Sequence, residues 1–552
     1  MVAGLSDPCK RNREGNEPQA ENTNFRARSA ILSAREPANV RCEVDSQNEF
    51  KGGITFMNSV DERSGSSNGL LPGMLGSSDI IFMILACAAP MGVLAGLVPL
   101  ALAFGNGAGT PGTLLCVCFA MLLFAVGYVR MIPHVRNAGA FYAYIATSIN
   151  KEAGIAAAYI AVVAYICAAA STLGAFCFFT SDFLHHLFGV TTRWEIWAAV
   201  SIAITAYLGY HKITMAAKVL TVALLLEVAV ILVLDGAILY AKGFAGLDFT
   251  SFTPAAILAP GLGISVIYGI NGCIGFEATA IYQEEAKNRE VSIPRATYGA
   301  ILILGTFYVL SSWCLVLSIS PGDVKAAAAV DPGRLVTGVA ERYLGTIGRD
   351  VLNLLTITSL FAAVLGFFNN ITRYLFALAR DGLIPAALGK VHPVHGSPSA
   401  ACVVLTVILS LVVGMFALAG LDPLLNLATS LSSMGAVGLM LLLTTTSLSV
   451  PIFFGRRGEF SPGKTVAPFV GGVLIAIATY LSLSNYSALT GTKLWIVNDL
   501  PLLFLPLAAA GILHGLFLRA RRPDLYAKVG STHVEEARVV PAIDRREATA
   551  QA

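Results

Sequence analysis

Charge is what this sequence has least of. Only 13% of its 552 residues are Asp, Glu, Lys or Arg, against about 25% in soluble domains, while 55% are hydrophobic and mean hydropathy is +0.70. That scarcity excludes an ordinary soluble globule, and a net charge of +3 spread along the chain leaves no footprint for nucleic acid. No CxxC pair occurs among the ten cysteines. Cys87, Cys116, Cys118, Cys167, Cys177, Cys273, Cys314 and Cys402 all lie in or beside apolar segments, so they serve as small apolar residues rather than disulfides or zinc ligands. Histidines at metal-ligand spacing are missing too, since His185 and His186 are adjacent and point apart on a helix. A phosphate loop and a nucleophile elbow are also absent, which leaves no foothold for an enzyme, a metal or a cofactor. Residues 1–76 hold no apolar run that would form a signal-peptide core. Rich in Asn, Ser, Glu and Arg, they are expected to be disordered, and Met57 and Met74 before the first apolar run make part of them readable as an over-extended translation start.

What the chain has in quantity is long apolar runs, and these make it an all-α polytopic membrane protein. Twelve spans follow one another, near 79 to 104, 112 to 132, 153 to 181, 194 to 209, 213 to 240, 261 to 282, 295 to 319, 348 to 378, 400 to 420, 424 to 449, 466 to 484 and 499 to 519. A hydrocarbon core of about 30 Å takes about 20 residues of helix. The expected organisation is a cytoplasmic tail over 1–76, a membrane domain over 77–520 and a second tail over 521–552. Between the second and third spans, AGAFYAYIATSIN (Ala138 to Asn150) reads as a short helix along the membrane surface. Basic residues set the orientation. With the amino terminus inside, the inner loops hold fourteen of them, among them Arg130, Arg136, Lys212, Lys287, Arg373, Arg380 and Lys464, and the outer loops hold seven. Both termini are therefore expected in the cytoplasm, with the chain in the plasma membrane. Trp194, Trp197 and Trp495 then fall at the outer interface, where an aromatic belt belongs.

Two of the runs break in mid-span. In the sixth, Gly269, Asn271, Gly272 and Gly275 fall close together, and each glycine weakens a helix by about 1 kcal/mol. In the first, Ala88, Ala89, Pro90, Met91 and Gly92 interrupt the helix, because proline lacks a donor and clashes with the turn before it, freeing carbonyls near Ala86 and Cys87. Freed backbone groups persist in a bilayer only where they line a cavity or meet a ligand. Two such breaks five spans apart point to an inverted repeat with a binding site at the midplane. The expected substrate contacts are Ala88, Ala89, Met91 and Gly92 at the first break and Tyr268, Asn271, Gly272, Cys273 and Gly275 at the second. Glycines alone would describe a kinked, tightly packed helix. Asn271, and the carboxylate of Glu277 directly after the break, tip the balance toward a site.

A second carboxylate, Glu227, sits between TVALLL and VAVILVL in the fifth span, where an acidic residue costs about 2.5–3.5 kcal/mol. It must face the interior, carry a proton or have a partner. Coupling of protons or cations and a structural hydrogen bond to a neighbouring helix are both open for it, while Glu277 adjoins the break and favours coupling. Asp235, near the outer end of the same span, reads as interfacial.

The stretch GFEATAIYQEEAKNREVSIPRA, Gly275 to Ala296, resembles the amino acid, polyamine and organocation (APC) transporter superfamily, whose members carry GFE, EEAKNP and IPRA; here Arg289 replaces the proline. NNITRYLFALARDGLIPAALGKVHPVHGSPSAA after the eighth span is similar in Arg373, Ala379, Arg380, Asp381, Gly382, Pro385, His392, Gly396 and Pro398, and RMIPHVRNAGAFYAYI matches more weakly. The resemblance spans roughly residues 77 to 520 and implies two inverted five-helix repeats with discontinuous helices 1 and 6, plus two further helices. It also implies a permease that binds an amino acid between the broken helices, with protons or exchange as the driving process. The family's Gly-rich first break is Ala-Ala-Pro-Met-Gly here, which keeps a polyamine or other amine open as cargo. Where proton-coupled relatives carry a lysine in the fifth span, this chain has Glu227. Thr358 and Ser359 fall where sodium-coupled relatives bind a cation between spans 1 and 8, although such hydroxyls more often bond back to their own helix. Arg373 and Arg380 are expected to fix topology and close the cytoplasmic gate. Small-molecule substrate, membrane lipid and protons are the expected partners, and a non-transporting membrane sensor is the remaining class.

Overall fold

A computed structural model describes residues 76–530 except 136, 138, 212–214, 285, 393, 394, 396 and 488–497, and does not describe the side chains of 215–221 and 284. The tails over 1–75 and 531–552, and the expectations for Arg136, Lys212, Gly396 and Trp495, lie outside the described residues. Every regular element among them is helical. Among the described residues, eleven helices are long and apolar enough to cross a membrane. The remaining expected span, the fourth, is the 18-residue helix Trp194–His211, set apart by the polar residues Glu195 and His211 in its end turns.

Span 1 runs over Ser77–Phe104, span 2 over Gly107–Met131, span 3 over Lys151–Phe188 and span 6 over Leu262–Gln283. Span 5 is the helix Met215–Lys242. Span 7 covers Arg289–Ile319, span 8 Pro332–Arg380, span 9 Ser399–Leu418, span 10 Pro423–Arg456, span 11 Pro462–Ser484 and span 12 Leu500–Arg521. Span 8 is two helices joined at Gly345, whose φ of 73° is a left-handed conformation that glycine adopts without steric cost. Burial follows the lipid-facing logic of such a bundle. Most of spans 1, 3 and 6 is buried against other helices, whereas spans 9, 11 and 12 keep only about a quarter to a third of their apolar core covered.

The end of span 1 at Phe104 is tied to the start of span 6. The Asn106 side chain donates to Thr113 Oγ1 at 2.8 Å and to the Ile257 carbonyl at 2.8 Å, and Ser265 Oγ donates to Asn106 Oδ1 at 2.6 Å. Asn106 is 5% exposed, so each of these bonds satisfies a group that would otherwise be orphaned in an apolar surround. The two broken spans are thereby coupled at this face, called here the far face. The face on which span 1 begins at Ser77 is the near face.

The short helix between spans 2 and 3, Phe141–Ser148, departs from expectation. It does not lie along a surface: every residue in it except Thr147 is buried. Tyr142 packs edge-on against Tyr374 of span 8, and Tyr144 against Tyr128 of span 2. Its three large aromatics are compatible with an interface or a core, and packing against spans 2 and 8 puts them in the core. Below it, helix Pro523–Lys528 clasps the same region. Lys151 Nζ donates to the carbonyls of Tyr526 and Ala527 at 2.8 Å each, Tyr526 Oη donates to Glu152 Oε1 at 3.0 Å, and Val529 is 2% exposed. Truncation after Arg522 removes Leu525, Tyr526 and Val529 together with the bonds to Lys151 and Glu152, at about 1.5–3 kcal/mol for the fully buried Val529 and less for the two half-buried side chains. The expected outcome is a folded protein whose thermal midpoint in detergent falls by a few degrees; an unchanged midpoint would show that the clasp contributes nothing.

Candidate functional site

Both interruptions are present, each with a local cause. In span 1 the helix Ser77–Ala88 ends on Ala89, a non-glycine residue in the left-handed region (φ 46°, ψ 69°), before Pro90 begins the next turn. A residue with a Cβ held there costs on the order of 1–3 kcal/mol, and it persists because Pro90 cannot continue the ladder. The next stretch, Val93–Leu97, is a π-helix, with the Val98 N–H reaching back to Val93. Pro99 explains it: with no donor at Pro99 the helix widens one turn ahead. In span 6 the helix Leu262–Gly272 stops at Cys273, and Gly275 turns the chain with φ 118° before a 3₁₀ segment, Phe276–Glu284. The two interruptions are neighbours. A Cβ on Gly275 would stand 3.7 Å from both the Ala88 amide nitrogen and the Cys87 side chain.

A cavity of about 60 Å³ opens where they meet. Room for one water takes about 10–15 Å³ on this measure, so several small groups fit. Its walls come from five spans: Ala88, Ala89 and Gly92 of span 1, Asn271 and Ile274 of span 6, Ser171 and Thr172 of span 3, Phe367 of span 8, and Thr429 and Ser432 of span 10. Asn271 donates a hydrogen bond across it to Ser432 Oγ. Of the expected substrate contacts, Ala88, Ala89, Gly92 and Asn271 line this cavity. Tyr268 and Gly272 instead line a smaller space beside it with Tyr308, and Met91, Cys273 and Gly275 are buried behind the wall. Sequence reasoning missed the contributions of spans 3 and 10. A signal was available in Ala168, Ser171, Thr172 and Ala175, small residues repeated at helical spacing on one face of an otherwise apolar run.

Toward the near face the cavity floor is closed. Asn370 Nδ2 donates to Cys87 Sγ at 3.5 Å and Tyr282 Oη donates to Asn370 Oδ1 at 2.8 Å, linking spans 1, 6 and 8. Gln283 Nε2 donates to the Asn137 carbonyl at 2.6 Å, and Asn137 Nδ2 to Asp381 Oδ2 at 3.2 Å. Arg373 lies over the Tyr282 ring, 5.0 Å from its centre, and Arg380 stands 3.9 Å from Asp381. These bonds join the lower half of span 6 to span 8 and the loop after span 2, so the near-face halves cannot separate without breaking them.

Glu277 is fully buried just below the second interruption. Its Oε1 accepts from Tyr165 Oη at 3.0 Å and its Oε2 from the Gly275 N–H at 2.9 Å, while Tyr128 Oη donates to its backbone carbonyl at 2.8 Å. The carboxylate therefore caps an amide that the break releases and ties span 6 to span 3. Glu227 stands on the other side of span 1, 2% exposed. It faces the Ser359 hydroxyl and the Met91 amide, yet Glu227 Oε2 and Ser359 Oγ complete no hydrogen bond. The Tyr308 hydroxyl, within electrostatic reach of Glu227, is also unpartnered. Thr358 separates from Ser359: its hydroxyl donates to the Leu355 carbonyl of its own helix at 3.0 Å. Asp235, expected at an interface, is instead 3% exposed and accepts from Ser311 Oγ of span 7 at 2.7 Å. A buried carboxylate needs such a donor, and Ser311 supplies it.

The amino acid permease family profile matches residues 79–515. A branched-chain amino acid permease of Bacillus subtilis is 24% identical, over 73% of this chain and 87% of its own length. A low-affinity putrescine importer of Escherichia coli is also 24% identical, over 76% and 86% respectively. A mutant of the Eremococcus coleocola manganese transporter superposes with a TM-score of 0.48 at 14% identity, covering 81% of this chain and 95% of that one.

Proposed function

The chain belongs to the amino acid permease family, and from that premise we propose that it is a secondary carrier moving amino acids across the plasma membrane by alternating access. The observation that carries this reading is the place of the cavity, where the two broken helices meet, above a hydrogen-bonded floor that joins spans 1, 6 and 8. Substrate sits at the breaks, because that is where unpaired backbone is available. The C-terminal ends of Ser77–Ala88 and Leu262–Gly272 present carbonyls and partial negative charge to an ammonium group. The turn that starts at Pro90 has no side-chain cap, which leaves the Gly92 amide for a carboxylate.

The near face is the cytoplasmic one in this reading, since the inner loops carry twice the basic residues of the outer loops. Transport then requires the Gln283–Asn137–Asp381 and Tyr282–Asn370 bonds to open after substrate binds. Glu227 with Ser359 is the coupling group: an unpartnered carboxylate oxygen and hydroxyl beside the first break accept a proton or a small cation and so register the state of span 1. Glu277 sets the shape of the second break. A polyamine is the rival cargo, favoured by Pro90, which withholds one amide from a carboxylate.

Uptake by proteoliposomes tests the proposal. With a panel of labelled amino acids and polyamines, at least one amino acid is expected to accumulate, and faster when the outside is acidic. If no compound in the panel accumulates or exchanges, the carrier reading falls.

A further inference from the structure

Resting on the carrier reading, a narrower statement about cargo follows from what the cavity wall has left to offer. Its 21 lining residues include no Asp, Glu, Lys, Arg or His. Three of its side-chain hydroxyls already donate to backbone carbonyls, and the polar remainder is the Asn271–Ser432 pair at one edge. Ser171 Oγ donates to the Ala428 carbonyl at 2.9 Å, Thr172 Oγ1 to Ala168 at 2.9 Å and Thr429 Oγ1 to Leu425 at 2.5 Å, while Ser432 accepts from Asn271. The nearest carboxylate below the break, Glu277, has both oxygens occupied by Tyr165 and Gly275. The remaining surface is aliphatic and aromatic carbon, led by Leu97, Leu360, Phe367 and Leu424, with Ala168 and Ala428 leaving open space between them.

A ligand group entering that space, away from the Asn271–Ser432 pair, gives up water and meets no charged partner. An apolar side chain gains about 25 cal/mol for each Å² it buries there, whereas an ammonium or carboxylate stripped of water without a counter-charge loses several kcal/mol. The asymmetry favours one kind of molecule: charged groups on one carbon, to be met by the backbone at the breaks, and carbon alone beyond it. We infer that the space between spans 1, 3, 8 and 10 is a side-chain pocket for uncharged aliphatic amino acids, and that it excludes diamines and amino acids with a charged side chain. Ala428 sets its size, because that residue's small side chain leaves the room next to Leu424.

Competition against labelled leucine uptake in proteoliposomes tests this on the unaltered protein. Valine, isoleucine and alanine are expected to compete, while putrescine, lysine and glutamate need at least about a hundredfold higher concentration, the equivalent of about 2.7 kcal/mol. Equal competition by any charged compound overturns the pocket assignment and leaves the carrier reading standing. Absence of uptake for every compound overturns the carrier reading itself. Ala428→Leu fills the space, and the ratio of leucine to alanine uptake is expected to fall at least about tenfold; an unchanged ratio places the side chain elsewhere. Should that variant fail to reach the membrane, Ala175→Val on the span 3 wall is read for the same ratio, and the competition series decides the charge question without either variant.

Discussion

Glu277→Gln is expected to cut substrate uptake at least about tenfold while the protein still inserts and elutes as the unaltered chain does. The expectation follows from the two bonds on its carboxylate. Glutamine keeps one acceptor oxygen for the Gly275 N–H, so the cap on the second break survives and folding with it. Its other arm is a donor, so the Tyr165 hydroxyl must turn round and accept. A charge-assisted bond becomes a neutral one, and such bonds differ by about 1 kcal/mol or more, in a place where span 6 meets span 3. About 1.4 kcal/mol corresponds to a factor of ten in a rate. Tyr165→Phe removes the same contact from the other side and is expected to give a smaller loss, because the Gly275 amide remains capped by a carboxylate. Glu277→Ala differs in kind: it leaves a buried N–H and a buried hydroxyl without partners, at about 1–3 kcal/mol each, and is expected to lower expression as well as uptake. Full transport by Glu277→Gln would reduce Glu277 to a hydrogen-bonding strut.

The spans themselves were legible in the sequence because a bilayer imposes a length and a composition that any apolar run must meet. The breaks were legible for a related reason, since Pro90 and Gly275 change what the backbone can do at a known residue. What composition does not encode is pairing across the bundle. Ser432 lies 161 residues from Asn271, and Tyr165 lies 112 from Glu277; no periodicity in either segment points to the other. The π-helix over Val93–Leu97 was within reach from Pro99, but the same proline is also compatible with a plain kink, and only the Val98-to-Val93 bond distinguishes them. The helix Phe141–Ser148 was misplaced on a surface for an instructive reason. Its aromatic residues suit an interface and a core equally well, and the decision belongs to Tyr128 of the preceding span and to Tyr374 and the clasp beneath it, the last two remote in sequence. Thr358 and Ser359 are adjacent and chemically alike, yet helical geometry sends one hydroxyl back to Leu355 and the other toward Glu227.

For Glu227→Gln the expected result is loss of gradient-driven accumulation with exchange retained. The carboxylate sits among atoms that the protein leaves unsatisfied: its own Oε2, Ser359 Oγ and the Tyr308 hydroxyl, contributed by spans 5, 8 and 7, beside the Met91 amide of span 1. Asp235, by contrast, has its Oδ2 bonded by Ser311. Glu227 leaves an oxygen open, which is what the proposed coupling role requires of it. Protonated, it holds the Met91 end of the first break as a neutral donor and acceptor; ionised, it draws the unpaired hydroxyls and the amide toward it, so the two states bias span 1 differently. Glutamine fixes the neutral state. Counterflow of labelled against unlabelled substrate, which needs no net proton movement, is expected to stay within about twofold of the unaltered rate. Accumulation against a concentration gradient is expected to vanish, and the dependence of uptake on external pH to flatten. Ser359→Ala is expected to shift that dependence without removing it, since the hydroxyl only assists the carboxylate. A Glu227→Gln protein that still accumulates substrate with the original pH profile would place the coupling group elsewhere and leave Glu227 as a buried carboxylate that the fold tolerates.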